Sequence, residues 1–124
     1  MTAYYPGQPP VDAYGNGGFR FAGMSHRGSI LLMPSGVYDW CADPLALTPA
    51  DFAAVFRERG SIDLLLFGTG PVMVRPPAAV REAFAASGIQ MDYMATGFAV
   101  STYNLLLAER RKVAAALVAV AIAG

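Results

Sequence analysis

Few side chains in this sequence could do chemistry, and the most suggestive of them follow an apolar run. Asp63 to Pro71 reads DLLLFGTGP, four apolar residues entering Gly68-Thr69-Gly70. Phosphate-binding loops work because backbone N–H groups and a helix N-terminus point at the anion. This stretch has the strand and the glycines. It has neither G-x-G-x-x-G nor G-x-x-x-x-G-K-[ST], and Pro71-Val72-Met73-Val74 delays the next helix. A tight strand exit is therefore the first reading. The second is a small-ligand cradle beyond the strand's carboxyl end, with Arg75 supplying charge to an anion.

His26 is the sole histidine and Cys41 the sole cysteine. Without spaced carboxylate or thiol partners His26 makes no metal site, and the Ser25–Gly28 stretch reads as a turn. Cys41 would need a base to act as a nucleophile. Nothing in the sequence brings His26 to it, so a buried or half-buried structural thiol is expected. There is no G-x-S-x-G elbow. The third helix adds polar residues to an apolar setting, Thr96, Asn104 and Glu109. Buried polar groups need partners, so these either tie the helix to neighbouring loops or edge a polar cleft near Gly70. These residues favour a non-catalytic chain over an enzyme, and they call for no cofactor or metal.

The elements that must position them follow from pattern. Residues 1–17 carry three of the nine prolines and read as a flexible, irregular arm, with a single domain over 18–124. Phe19, Phe21 and Met24, then Ile30–Met33, predict an opening β-hairpin turning at Ser25–Gly28, and Val37–Trp40 a short strand. Thr48 as N-cap, Pro49 at the first position and Asp51 in the first turn start a helix that Gly60 closes. Asp63–Phe67 has no polar alternation and predicts a central parallel strand. A second helix runs from about Pro77 to Ser87 with Gly88 beyond it. Ile89–Tyr93 is a strand. Thr96 caps a third, largely buried helix, and KVAAALVAVA is the last strand. The expectation is an α/β fold: a single three-layer domain around a mixed sheet, with about three flanking helices.

The chain has 124 residues, 55% apolar and 15% charged, with nine basic side chains against nine acidic. That balance gives no long-range pull on nucleic acid, and no basic stripe interleaves with the aromatics. A low-charge apolar surface favours association, so an oligomer is left open. The N-terminus lacks a secretory or transit pattern. The C-terminal apolar segment is too short for a spanning helix, which needs about 20 residues. A cytoplasmic protein is expected.

The C-terminal block carries a resemblance. Gly68-Thr69-Gly70, Gly88-Ile89, Met94, Thr96, Ala99, Thr102-Tyr103-Asn104, Leu106, Glu109 and Arg111 resemble the pattern of a family of largely uncharacterised α/β proteins. That family includes the third assembly factor of mitochondrial respiratory complex I and an adipogenesis-associated protein. The resemblance spans the chain from about Gly17 onward. It implies a three-layer fold around a mixed sheet and establishes no reaction. It also implies a role as an adaptor or assembly factor with protein partners, for which the aromatic arm (Tyr4, Tyr5, Tyr14) and the area around Tyr38 and Trp40 are candidate surfaces.

Overall fold

The computed structural model describes residues 5–123. Three strands form a small antiparallel sheet: β1 (Ala13–Gly15), β2 (Gly18–Phe21) and β3 (Met24–Arg27). Five form the main sheet, in the order β5-β4-β8-β6-β7: β4 (Ile30–Met33), β5 (Gly36–Asp39), β6 (Leu64–Gly68), β7 (Gln90–Met94) and β8 (Val113–Leu117). The helices are α1 (Ala53–Arg57), α2 (Ala78–Ser87) and α3 (Thr96–Ala108). β6 runs parallel to β7 and β8, while β4 runs antiparallel to β8 and β5. The sheet is mixed, with β6 inside its parallel part, as its unbroken apolar run requires.

Side-chain alternation divides the core into two layers. Ala114, Ala116 and Val118 join Leu65 and Phe67 under α1 and α2, where Phe52, Val55, Val80 and Phe84 pack. Val113, Ala115 and Leu117 join Leu66 on the other face, against Val100 and Tyr103 of α3 and Phe19 and Phe21 of the small sheet. The alanines of β8 let both layers come close to the sheet. Phe52 centres the first layer, with ring centroids 5.3 Å from Trp40, 5.5 Å from Phe67 and 5.2 Å from Phe84. The Trp40 indole N–H donates to the Asp51 carbonyl at 2.8 Å.

Several expectations change. The opening hairpin turns at Ala22-Gly23, not at Ser25–Gly28, and pairs Phe19 with His26. His26 is a buried strand residue, because Phe19, Phe21 and His26 together form the inward face. The helix expected from Thr48 to Gly60 is a 3-10 turn (Pro49–Phe52), then α1, then a second 3-10 turn (Arg59–Ser61). Its start is fixed by the Asp51 carboxylate, which accepts the Thr48 N–H at 2.8 Å. α3 is not largely buried: it hides Thr96, Ala99, Val100 and Tyr103, while Phe98 and Leu105 face solvent.

The expected flexible arm also changes. Residues 1–4, with Tyr4, lie outside the described residues. From Tyr5 onward the arm is fastened. Tyr5 bridges to Val37 of β5, the Gln8 side-chain amide donates to the Val113 carbonyl at 2.7 Å, and β1 lies within 13–15. Prolines leave such a segment short of donors, so long-range side-chain bonds do what a ladder would do. No helix among the described residues is long and apolar enough to cross a membrane.

Candidate functional site

Gly68-Thr69-Gly70 leaves β6 between the start of α3 and the end of β8. Gly68 has little room for a side chain: a Cβ there would lie 3.0 Å from the Thr96 Cα, the Thr96 Oγ1 and a Leu117 methyl. Gly70 has φ +114°, a conformation that favours glycine. The Thr69 N–H donates to the Met94 carbonyl at 2.8 Å. The Gly70 N–H donates to Thr96 Oγ1 at 3.0 Å. Thr96 Oγ1 in turn donates to the Val118 carbonyl at 2.8 Å, and the Thr96 N–H to the Gly70 carbonyl at 2.8 Å. Thr96 was expected as a helix cap. Its hydroxyl instead knots three segments together, and Ala95 occupies the cap position. Thr69 Oγ1 donates to the Val72 carbonyl at 2.7 Å and accepts the Val74 N–H at 3.1 Å. The Thr69 and Gly70 amides are therefore engaged inside the protein, so an anion cradle built on them lacks these two donors.

The other expected site residues lie apart. Arg75 is exposed on the rim of the turn and forms no ion pair with another described residue. Asn104 sits eight residues along α3 from Thr96 and Glu109 caps the far end, roughly 12 and 20 Å away along the axis at 1.5 Å per residue. Asn104 holds the arm: Oδ1 accepts the Val11 N–H and Nδ2 donates to the Val11 carbonyl, both at 2.8 Å. The Tyr103 hydroxyl donates to the Pro9 carbonyl at 2.7 Å. Sequence reasoning missed these partners because they lie more than 90 residues away, where no local pattern points. Asn104→Ala is expected to cost about 1–3 kcal/mol, since the Val11 N–H and carbonyl lose their partner in a place only partly open to water. Urea unfolding measures that cost, and hydrogen exchange at the Val11 amide is expected to accelerate with it.

His26 and Cys41, which nothing in the sequence joined, meet through Asp39. His26 Nε2 lies 3.1 Å from Asp39 Oδ1, and the exposed Cys41 Sγ donates to Asp39 Oδ2 at 3.0 Å. The thiol is not the buried one expected, because its hydrogen bond points it to a surface carboxylate. That bond, then the charge of Asp39, raises the Cys41 pKa. The thiolate is disfavoured, the reverse of what a nucleophilic cysteine needs. Among the described residues no group of His, Cys, Asp or Glu is placed to hold a metal.

What the turn does offer is apolar surface. Two recesses flank Gly70 and Pro71. One, of about 360 Å³, opens between the strand ends and the loop of Pro44 and Leu45. The other, of about 340 Å³, lies against the start of α3, lined by Tyr14, Phe98 and Ile122. In the second, Phe98 and Ile122 are 72% and 82% exposed, and Met73, between Val72 and Val74 of the first, is 65% exposed. Val72 and Leu45 are exposed beside them, so an apolar crown covers this end of the sheet. Only part of it, Val72 and Met73, lies in the apolar PVMV run set between prolines. The aromatic surfaces expected to serve an interface are largely used elsewhere. Trp40 is in the core, Tyr5 packs edge-on against Phe21, and Tyr38 shares a 2.6 Å hydrogen bond with Ser35.

Comparison with known proteins adds four observations. Residues 11–118 match the family described as protein of unknown function (DUF498/DUF598). An uncharacterised protein of Rhodobacter capsulatus is 36% identical over 113 residues, 91% of this chain and 86% of that one. The mouse NADH dehydrogenase [ubiquinone] 1 alpha subcomplex assembly factor 3 is 28% identical over 119 residues, and the chain spans 64% of its length. A crystal structure from Bartonella henselae, described as an outer membrane protein, superposes with a TM-score of 0.91 at 50% identity, covering 94% of this chain and 99% of that one.

Proposed function

The chain belongs to the DUF498/DUF598 family of proteins of unknown function, and from that footing we propose that it is a non-catalytic adaptor that holds a protein partner against its apolar crown while a larger complex is assembled. The observation that carries the reading is the exposure of Met73, Phe98 and Ile122 around Gly70. A soluble monomer seldom leaves a contiguous apolar patch uncovered without a partner for it. The likeness to a respiratory complex I assembly factor supports the class of partner, a subunit of that complex or another factor in its construction. The proposed setting is the cytoplasm, and recovery of the chain in the outer-membrane fraction of fractionated cells would overturn that setting.

The test is an affinity pull-down of the tagged chain from its host, read by mass spectrometry, with a Phe98→Asp/Ile122→Asp double variant in parallel. Both positions are exposed, so unfolding curves are expected to move by no more than about 0.5 kcal/mol for each substitution. Complex I subunits or factors are expected with the unaltered chain. Their recovery falls tenfold or more in the double variant, the factor that about 1.4 kcal/mol of binding gives. No specific partner, or the same partners in both samples, would overturn the reading.

A further inference from the structure

We infer that the 360 Å³ recess beside Gly70 binds an apolar monocarboxylate, with the hydrocarbon inside and the carboxylate on Arg75. This goes beyond the adaptor reading, because it concerns the recess rather than the crown and needs no partner protein.

The recess lies just beyond the carboxyl ends of β6 and β8, where open α/β sheets take ligands. Its size falls within the roughly 300–1,000 Å³ of small-molecule sites. Leu47, Phe67, Val72, Val74 and Val118 line it, and the polar atoms nearest its floor are already committed. The Thr69 hydroxyl bonds the Val72 carbonyl and the Val74 amide, and the Thr69 and Gly70 amides bond Met94 and Thr96. A ligand's buried part therefore meets mainly apolar surface and is expected to be apolar. At about 30 Å³ for a water-sized unit, the space takes roughly a dozen methylene-sized groups.

The charge at the mouth selects the head group. Arg75 is the charged residue of the lining, it is exposed, and it has no ion-pair partner among the described residues. One guanidinium fork matches one carboxylate by two parallel hydrogen bonds. A phosphate dianion would call for further donors, and the Thr69 and Gly70 amides that could supply them are taken.

Isothermal titration of the purified 124-residue chain tests this with octanoate, decanoate and dodecanoate, kept below their aggregation thresholds, and with decanol, decylammonium and decyl phosphate. Affinity is expected to rise about fourfold per added methylene until the recess is full, the factor of one buried CH₂. Decanoate binds at least tenfold tighter than decanol, and decylammonium does not bind. Arg75→Gln removes the advantage of decanoate over decanol and leaves decanol unchanged. Val74→Trp, at a half-exposed rim position, blocks both. Absence of binding by any alkyl acid, equal binding of decanoate and decanol, or preference for decyl phosphate would each overturn the assignment. Failure of the pull-down would leave the titration result standing, so the two readings fall separately.

Discussion

Thr96→Val is expected to destabilise the fold by about 2–6 kcal/mol, since it strands two buried polar groups that each cost about 1–3 kcal/mol unpaired. Valine keeps the shape of threonine, so no cavity forms and the loss is that of the hydroxyl. Thr96 is 0% exposed, and water cannot replace the bonds from the Gly70 N–H and to the Val118 carbonyl. A loss of that size is a large share of the roughly 5–15 kcal/mol that hold a domain folded. Thr96→Ser is the control: it keeps both bonds and gives up one methyl, worth about 1 kcal/mol. The urea midpoints are expected to fall in the order wild type, serine, valine. Equal midpoints for serine and valine would mean that the knot at Gly70 does not hold this end of the sheet.

The second large effect is at Tyr103, which is fully buried and reaches Pro9. Tyr103→Ala is expected to cost about 3–5 kcal/mol through lost burial and the cavity it leaves. Tyr103→Phe keeps the ring and isolates the hydroxyl, at about 1–3 kcal/mol for the unpaired Pro9 carbonyl. The two variants also differ from the wild type in their response to pH. Burial pushes the Tyr103 phenol above its ordinary value of 10.0. The charged form of tyrosine is the deprotonated one. Above about pH 10 the unfolded chain gives up this proton while the folded chain keeps it, so stability falls with rising pH. The fall approaches about 1.4 kcal/mol per pH unit, and the full contribution is present below that range. Tyr103→Phe lacks this alkaline fall. The gap between wild type and phenylalanine variant, wide at neutral pH, is expected to narrow at about pH 11. A gap that stays constant across that range would rule out the buried phenol as its source.

What was legible in the sequence was what neighbouring residues decide. The run Leu64–Phe67 announced an inner strand, and Gly88 announced the end of α2, where it stands at φ +82°. From α1 onward strand and helix followed one another as expected. What was not legible was decided across distance. His26 looked like a turn residue because Gly28 follows it, yet Phe19 opposite draws its ring inward. The prolines of the arm suggested loose chain, yet Pro9 and Val11 are held by residues of α3 far along the sequence. Of the candidate site, Gly68, Thr69, Gly70 and Thr96 converge as one knot with Arg75 on its rim. Asn104 and Glu109 share only their helix with it. The apolar crown was not legible: only Val72 and Met73 of it lie in the PVMV run, and Phe98 had been expected in a buried helix.

The place of β8 has a consequence for how the molecule comes into being. It is the last of the described strands in the sequence and the middle one in the sheet, pairing Leu117 with Ile30 on one side and Val113 with Leu64 on the other. While the ribosome is still short of residue 117, β4 with β5 and β6 with β7 have no strand to join them. Each pair waits with an open edge. The loops that must close are long, and their entropy weighs on the barrier before the contacts reward it. Closure of the main sheet therefore waits for β8, and in that interval the exposed strand edges are open to association with other chains.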